Sequence, residues 1–299
     1  GGLRIMYNSE HPKLLRNTTP IKDPEVISFV KKTDTNNFLF NALENLELKD
    51  IFLNEYFNWV QSSKLNNLNG LKKFKNLAYV HGTSQTFDAF YAENRNRRFR
   101  CFKGDFFYHS ISWRNNYTYS YIEEEKLQPN DAVVISIPFS DNGHMHPDTE
   151  NVIETCNKLE IPVLIDLAYY NFVRGIDFNL DEPCISTITF SLSKGFCLLD
   201  RLRIGIRCKK EFNDDPVDVF NSFDMFNKAG AAMGLEVIRN FSPDHNQNKF
   251  YEKQKDVCSK FKFERSNCVF FGLGDKSYSK FNRGSHWNRV CISNFLVDN

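Results

Sequence analysis

Lys194 stands in a segment whose residue types could bind an aldehyde that carries a phosphate group. The segment Ser191-Leu192-Ser193-Lys194-Gly195 follows an apolar run at residues 185–190, where a strand should end. A lysine amine acts as a nucleophile when burial or neighbouring cations lower its pKa, and it can then form a Schiff base with an aldehyde. Arg203 opens the next apolar run and could hold the phosphate. The alternative is that Lys194 is a surface lysine between a strand and a loop.

Asp166 ends a second apolar run, Val163-Leu164-Ile165, and Tyr169 follows it by three residues. Burying a carboxylate is costly unless it has a cationic partner. The protonated ring nitrogen of pyridoxal phosphate (PLP) is such a partner, and its protonation makes the cofactor an electron sink. Tyr169 could donate a hydrogen bond to the phenolic oxygen of the same ring. Asp166 could instead cap the strand or pair with an arginine, and Tyr169 could be a packing residue.

The loop Gly82-Thr83-Ser84-Gln85 follows an apolar run at residues 77–81 and precedes a helical pattern. Backbone N–H groups at a helix N-terminus form an anion site when glycine permits close approach and hydroxyls add donors. With Ser191, Ser193 and Arg203, this loop would complete a phosphate-binding cup. On its own, it could be a simple helix cap.

Short β-rich runs alternate with helical patterns in the middle of the chain, which predicts an α/β fold with a mainly parallel sheet flanked by helices. The clearest helical patterns cover residues 148–159, with Asp148 as the N-cap, and the residues after 82–84. Ligands of such sheets bind at the carboxyl ends of the strands. The predicted strands cover residues 77–81, 99–102, 132–138, 162–166, 185–190 and 203–208.

Three regions are predicted along the chain. They are an N-terminal arm with helices at residues 1–75, a large α/β domain at 76–212 that would bind the cofactor, and a small α+β domain at 213–299. The last region should contain helices at 217–240 and 246–261. A cluster of four arginines within residues 95–100 is interpreted as a solvated helix end, where cations complement the helix dipole.

The composition is that of a globular protein, with 299 residues, 41% hydrophobic and 25% charged. A formal net charge of +1 favours neither nucleic acid nor an anionic membrane as a partner. Eight cysteines without a C-x-x-C pair predict reduced, buried thiols in a cytoplasmic protein. No run approaches the ~18 apolar residues of a membrane-spanning helix, and no signal peptide is recognisable. The opening Gly1-Gly2 predicts a natural N-terminus that is longer.

The order of these motifs, each at a predicted strand end, resembles the fold-type I family of PLP enzymes, the aspartate aminotransferase superfamily. The matching segments are Asp166-x-Ala168-Tyr169-x-x-Phe172, Ser191-x-Ser193-Lys194-x-Phe196 and Leu202-Arg203-Ile204-Gly205. The interval between the lysine and the arginine is one residue longer than is usual in the family, which makes Arg201 a second candidate for the role of Arg203.

The resemblance implies that Lys194 is the Schiff-base lysine, Asp166 the partner of the ring nitrogen and Tyr169 the ligand of the phenolic oxygen. These three residues form the implied catalytic set. The family also has an aromatic residue that stacks on the ring, for which Phe107 or Tyr108 is expected. The implied cofactor-binding residues are Gly82, Thr83, Ser84, Phe107, Tyr108, Ser140, Asp166, Tyr169, Ser191, Ser193, Lys194 and Arg203.

Two features differ from the family or extend the pattern. In place of the family's Asn-Pro-x-Gly turn, Ser140 aligns with the usual asparagine and Asn142 lies two residues later. Arg289, near the C-terminus, resembles the family's arginine for the substrate α-carboxylate. His144 and His146 lack a third ligand nearby, so no metal is expected, and they could line the substrate pocket.

The activity implied is that of an aminotransferase of amino-acid metabolism, which exchanges an amino acid for a keto acid and works as a cytoplasmic homodimer. The same residues would serve a PLP-dependent lyase, decarboxylase or cyclase. A noncatalytic descendant that uses the sheet for binding is a further alternative. No nucleic acid, membrane or metal is expected as a partner.

Overall fold

A seven-stranded sheet lies at the centre of the structure. The structure is a computed structural model that describes residues 13–113 and 117–297, apart from the side chains of residues 111–113. Residues 1–12 of the predicted N-terminal arm lie outside the described residues. The strands are β1 (Asn67–Asn69), β2 (Asn76–Val80), β3 (Arg98–Cys101), β4 (Tyr119–Tyr121), β5 (Asp131–Ser136), β6 (Val163–Leu167), β7 (Asp177–Asn179), β8 (Ile185–Ser191), β9 (Gly205–Lys209), β10 (Glu264–Arg265), β11 (Phe271–Gly274) and β12 (Asn288–Cys291).

Helices flank this sheet. No described helix has the length and apolar character to cross a membrane. The helices are α1 (Pro24–Thr33), α2 (Phe38–Glu44), α3 (Leu48–Gln61), α4 (Thr83–Glu93), α5 (Phe107–Trp113), α6 (Thr149–Leu159), α7 (Leu199–Leu202), α8 (Pro216–Ser222), α9 (Lys228–Asn240) and α10 (His245–Phe261), with short 3₁₀ segments at Leu71–Lys73, Tyr170–Phe172, Lys276–Phe281 and Ser293–Phe295.

The strands of the large sheet lie in the order β2-β9-β8-β6-β5-β3-β4. β8, β6, β5, β3 and β4 are parallel to one another, and β9 runs antiparallel to both of its neighbours. The predicted α/β fold with a mainly parallel sheet flanked by helices is therefore confirmed. Each of the six predicted strands is present, with bounds that differ by a few residues.

Helices on both faces bury the central strands, which explains their continuous apolar runs. All six residues of β5 are buried, and so are all five of β6. The register pairs Ser136 at the end of β5 with Asp166 in β6, and Asp166 with Thr189 in β8. Polar side chains that follow these runs therefore meet at one edge of the sheet.

Two local predictions are wrong. Arg98 and Arg100 lie in β3 rather than at a helix end, and the fully buried Arg100 pairs with Asp131 at 2.7 Å because the carboxylate offsets its desolvation. The helix predicted at residues 217–240 is two helices, α8 and α9. The second begins anew at Asn227, whose side chain accepts a hydrogen bond from the Gly230 N–H at 2.8 Å.

The two ends of the described chain meet beside the large sheet. Leu15 and Cys291 form an antiparallel bridge with backbone hydrogen bonds of 3.0 and 2.8 Å. β12 belongs to a small antiparallel sheet with β11 and β10. Helices α1, α2 and α3 pack against α9, so residues from all three predicted regions contribute to one large apolar cluster.

Candidate functional site

A cavity of about 190 Å³ lies at the carboxyl ends of β5, β6 and β8. It brings together most of the residues that the sequence singled out. Its lining consists of Thr83, Ser84, Phe106, Tyr108, Ser136, Pro138, Ser140, Asp166, Ala168, Tyr169, Ser191, Ser193, Lys194 and Arg203.

Lys194 lies three residues beyond the end of β8, in a tight turn that is half-buried at this position. Its Nζ donates a hydrogen bond of 3.4 Å to the Thr18 carbonyl oxygen. Gly195 is required next to it, because a Cβ there would lie 2.3 Å from the Asn171 side chain. Asn246 Nδ2 donates to the Gly195 carbonyl at 2.8 Å and fixes the turn from the side of α10. The lysine is thus held at the cavity with its amine available.

The Asp166 carboxylate is 5% exposed and has no cationic side chain among its described contacts. Its Oδ1 accepts a 3.0 Å hydrogen bond from the Ala168 N–H, and Ser136 Oγ lies 3.5 Å from its Oδ2. Burial, followed by the negative charge of Asp105, raises the pKa of Asp166 to about 7. The site therefore holds a carboxyl group that would be stabilised by a cation in the cavity.

Asp105 is a second buried carboxylate at this site, and the sequence analysis did not single it out. The Ser136 hydroxyl donates to its Oδ1 at 2.6 Å, and the Ser140 hydroxyl lies 3.2 Å from the same oxygen. Its position after β3, at the start of the Asp105-Phe106-Phe107-Tyr108 segment, could have indicated it, since β3 is a neighbour of β5 in the sheet.

The N-terminus of α4, the hydroxyls of Thr83 and Ser84, and Arg203 form a cup at one wall of the cavity. Arg203 Nη2 donates to the Ser84 hydroxyl at 3.0 Å and to the His81 carbonyl at 3.3 Å. Gly82 has a φ of +71°, and a Cβ on it would lie 2.6 Å from Arg203 Nη2, so this position requires glycine. Free backbone donors and a guanidinium at a helix N-terminus favour an anion.

Two serines close the same wall. Ser191 Oγ donates to the Ile204 carbonyl at 3.1 Å and accepts from the Ser193 N–H at 3.1 Å. Ser193 Oγ is buried and has no hydrogen-bond partner among the described residues. A buried hydroxyl without a partner costs free energy, so a ligand acceptor at this point would stabilise it. Arg201, the second candidate for the arginine role, lies outside the cavity with a side chain that is 89% exposed.

Tyr169 faces the cavity beside Lys194, and its hydroxyl lies 2.8 Å from Thr18 Oγ1. Thr18 thereby contacts both the tyrosine and the lysine, and no sequence signal marked it, since it belongs to the N-terminal arm. The arm covers the cavity from this side.

The aromatic wall comes from α5 and the residue before it. Tyr108 lines the cavity, and its hydroxyl donates to Asp88 Oδ1 at 2.9 Å. Phe106, which the sequence analysis did not select, also lines it, with its ring 6.0 Å from that of Tyr108 at an angle of 14°. Phe107 is 42% exposed and faces a neighbouring cleft instead, because the segment is helical and successive side chains point in different directions.

Ser140, rather than Asn142, faces the cavity. The Asn142 side chain is buried and accepts a hydrogen bond from the His144 N–H at 2.8 Å. His146 stacks on Phe102 with ring centroids 3.6 Å apart, and neither histidine lines the cavity. The alternative that these histidines line the pocket is therefore wrong for the described cavity.

Arg289 lies at the neighbouring cleft, which shares Lys194, Tyr169 and Phe106 with the cavity. Its guanidinium is almost fully buried, stacks 4.4 Å from the Phe271 ring centroid and leaves Nε without a described partner. Sequence reasoning missed a second arginine, Arg283, at the same cleft.

This arrangement has the fold of the fold-type I enzymes that use PLP. No family model matches the chain, and no curated protein matches it. Among solved structures, it is similar to the aromatic aminotransferase from Pyrococcus horikoshii OT3, with 12% identity, a TM-score of 0.66 and coverage of 94% of this chain and 91% of that one.

Two further solved structures illustrate the range of activities on this fold. The histidinol-phosphate aminotransferase from Clostridium acetobutylicum has 13% identity and a TM-score of 0.60, over 94% of this chain and 96% of that one. The PLP-bound C-S lyase from Staphylococcus hominis has 10% identity and a TM-score of 0.61, over 92% and 85% of the two chains. Aminotransferases and a lyase thus share the fold, which leaves the reaction to be argued from the site.

Proposed function

We propose that this protein is a PLP-dependent aminotransferase that acts on an amino acid. The observation that carries the proposal is that Lys194 and the buried carboxyl group of Asp166 line one cavity with an anion-binding cup. An amine, a carboxylate and an anion cup are what the aldehyde, the ring nitrogen and the phosphate of PLP require.

Three features of the described residues support the fit to PLP. Asp166 is buried without a cationic side chain, and a protonated ring nitrogen would supply that charge. Ser193 Oγ is buried without a partner, and a phosphate oxygen would accept its hydrogen bond. The guanidinium of Arg203 and the α4 N-terminus would face the same phosphate.

Each residue then has a task in the reaction. When bound, PLP supplies an electron sink for the bond that breaks at the substrate Cα. Lys194 Nζ would hold the cofactor covalently and, once released by the substrate amine, move a proton from Cα. Asp166 would keep the ring nitrogen protonated, Tyr169 would donate to the phenolic oxygen, and Arg289 would hold the α-carboxylate.

The proposed aminotransferase activity is tested by following the amino group of the substrate. Purified protein is incubated with PLP, a mixture of amino acids and a keto acid, and the products are identified by mass spectrometry. Transfer of a labelled amino nitrogen to the keto acid supports an aminotransferase. The C-S lyase among the matching folds favours a lyase as the second candidate. Release of ammonia or a thiol without nitrogen transfer would establish that candidate instead.

The assignment of the phosphate cup predicts that Arg203 contributes to cofactor affinity through the phosphate group alone. Replacing Arg203 by glutamine should weaken PLP binding about 10- to 100-fold, because charge-assisted hydrogen bonds contribute about 1.5–3 kcal/mol. Binding of pyridoxal, which lacks the phosphate, should stay unchanged. Fluorescence titration with both compounds measures the two affinities, and the exposed Arg201→Gln serves as the matched control. Equal losses for PLP and pyridoxal would contradict the assignment.

A homodimer is also part of the proposal, and an exposed apolar patch supports it. The patch comprises Leu39, Phe40 and Leu43 of α2 with Phe223 and Met225 after α8, each more than half exposed. The two elements adjoin, since Lys228 Nζ donates to the Leu43 carbonyl at 3.2 Å and pairs with Asp224 at 2.5 Å. Apolar patches of this kind mark protein interfaces.

The double variant Phe40→Asp/Phe223→Asp should therefore shift the protein from dimer to monomer. Light scattering coupled to size exclusion measures the mass. Phe212→Asp, a change at an exposed phenylalanine outside both elements, should leave the dimer intact. A wild-type monomer at micromolar concentration would argue against the dimer.

A cytoplasmic location is proposed as well, because all eight cysteines are free and buried.

A further inference from the structure

Three arginines line the cleft that adjoins the candidate site. This cleft has a volume of about 540 Å³ and shares Lys194 with the cavity. Arg16 comes from the N-terminal arm, whereas Arg283 and Arg289 come from the last segment of the chain. We call it the arginine cleft. It adjoins the candidate site at Lys194, Tyr169 and Phe106.

The three arginines form one connected cluster. Arg289 Nη2 donates to the Arg16 carbonyl at 2.9 Å, and Arg16 Nη2 donates to the carbonyl of Asn282, which precedes Arg283, at 2.9 Å. Arg283 donates to the carbonyl oxygens of Ser140 at 3.2 Å and Asp105 at 3.3 Å. All of these acceptors are neutral, so the hydrogen bonds position the guanidinium groups without neutralising their charge.

One carboxylate, that of Asp141, lies at the cluster, and its buried Oδ1 has no hydrogen-bond partner among the described residues. Within the described residues, no carboxylate oxygen comes closer to these guanidinium groups than Asp141 Oδ1, which lies 4.0 Å from Arg283 Nε. The other oxygen of Asp141 is bound by Ser285. The Asp105 carboxylate accepts from the Ser136 hydroxyl and the Phe106 N–H. With Lys194, the cleft therefore has more positive than negative charge.

The Arg283 side chain is only 12% exposed. Burial, followed by the charge of Arg289, lowers its pKa to about 10. A desolvated guanidinium next to another one is unfavourable until an anion joins them. One arginine suffices for the α-carboxylate of an amino acid, and Arg289 has that role in the proposed function. Arg283 and Arg16 then remain for a second anion.

We propose that the substrate carries a second anionic group, a carboxylate or a phosphate on its side chain, which Arg283 binds with Arg16 at the rim of the cleft. This inference rests on the proposed function. The rings of Phe106, Phe107 and Tyr121 line the opposite side and would contact the carbon chain. A purely apolar side chain would leave the desolvated Arg283 with only the Asp141 carboxylate, 4.0 Å away, as a counter-ion.

The first experiment compares matched amino acids on the PLP-loaded protein. The pairs are aspartate with asparagine, glutamate with glutamine, and phosphoserine with serine, and phenylalanine represents an apolar side chain. The concentration that half-saturates the change in the visible spectrum is measured for each. We expect the acidic member of one pair to bind at least about ten-fold more tightly than its neutral partner. The pair that shows this preference identifies the second anionic group as a carboxylate or a phosphate.

The Arg283→Gln variant should abolish this preference and leave the affinity for the neutral partner unchanged. Arg283→Lys should retain part of it, since a point charge replaces the bidentate fork. Arg201→Gln, at an exposed arginine outside both cavities, should behave as wild type. Tighter binding of phenylalanine or of the neutral partners by the wild-type protein would overturn the inference.

A second measurement does not depend on the cofactor. Calorimetry compares succinate with butyrate, which has the same number of carbons and one carboxylate fewer, on the protein without added PLP. Succinate should bind more tightly to wild type, and Arg283→Gln should remove the difference. Equal binding of succinate and butyrate by wild type, together with equal binding of phosphoserine and serine in the first experiment, overturns the inference. A succinate preference in a protein that shows no lysine-dependent PLP band would refute the proposed function and leave the arginine cleft as a site for dianions.

Discussion

Replacing Lys194 by alanine is expected to abolish the visible absorbance band that PLP gives on a protein lysine. It should also reduce amino transfer by about 10²–10⁴-fold, the range for a lost acid–base group. The fold should survive, because the only described hydrogen bond of Nζ is the 3.4 Å contact with the Thr18 carbonyl. Absorbance titration with PLP and a steady-state assay measure the two effects.

The control for Lys194→Ala is Lys255→Ala, which removes a lysine whose side chain is 62% exposed on α10. This variant should keep the wild-type band and rate. Circular dichroism of both variants verifies the fold. A band of wild-type intensity in Lys194→Ala would show that another lysine binds the cofactor and would refute the role assigned to Lys194.

The second large effect is expected from Asp166→Asn. Removing one partner of a buried ion pair costs about 3–5 kcal/mol, which corresponds to a rate loss of at least about 10²-fold if the ring nitrogen is the other partner. The visible band should remain, because Lys194 is intact. The variant therefore separates the role of Asp166 in the rate from the role of Lys194 in cofactor attachment. A simultaneous loss of band and rate would indicate a damaged site instead.

The same substitution should stabilise the protein when PLP is absent. Burial and Asp105 raise the pKa of Asp166 from 3.8 to about 7, so between these values the folded protein holds a proton that the unfolded chain has lost. The stability contributed by this group is therefore present below about pH 4, declines as the pH rises to 7, and stays low above it. Asp166→Asn avoids that loss.

Urea unfolding between pH 4 and 8 measures this effect. We expect Asp166→Asn to exceed wild type above pH 7 by an amount on the order of a few kcal/mol, with no difference near pH 4. Added PLP should narrow the gap at pH 8, since the ring cation compensates the wild-type carboxylate. A gap of constant size across the pH range would contradict the burial argument.

Residues at the ends of strands were predictable because parallel strands carry a local signature. β5, β6 and β8 are buried on both faces and appear as short apolar runs. The residues at or just beyond such runs, Asp166, Ser191 and Lys194, therefore had to meet at one sheet edge. Gly82 was predictable for a related reason, as the turn between a strand and a helix.

Other site residues depend on contacts between distant parts of the chain. Thr18 and Arg283 reach the site through the bridge between Leu15 and Cys291, which no local pattern encodes. The segment after β3 is rich in aromatic residues typical of strands, yet it forms α5. The Phe106 and Tyr108 rings pack against Phe87 of α4, and this tertiary packing overrides the local preference.

The bridge between Leu15 and Cys291 has a consequence for folding during synthesis on the ribosome. Leu15 is synthesised long before Cys291, so the arm has no strand partner at Leu15 until β12 has emerged. The large sheet can form earlier, because its strands lie between residues 76 and 209. The nascent chain would thus be able to form the phosphate cup and present Lys194 before Arg283 and Arg289 of the arginine cleft are synthesised. The ability to discriminate between substrates would therefore arise after the ability to hold the cofactor.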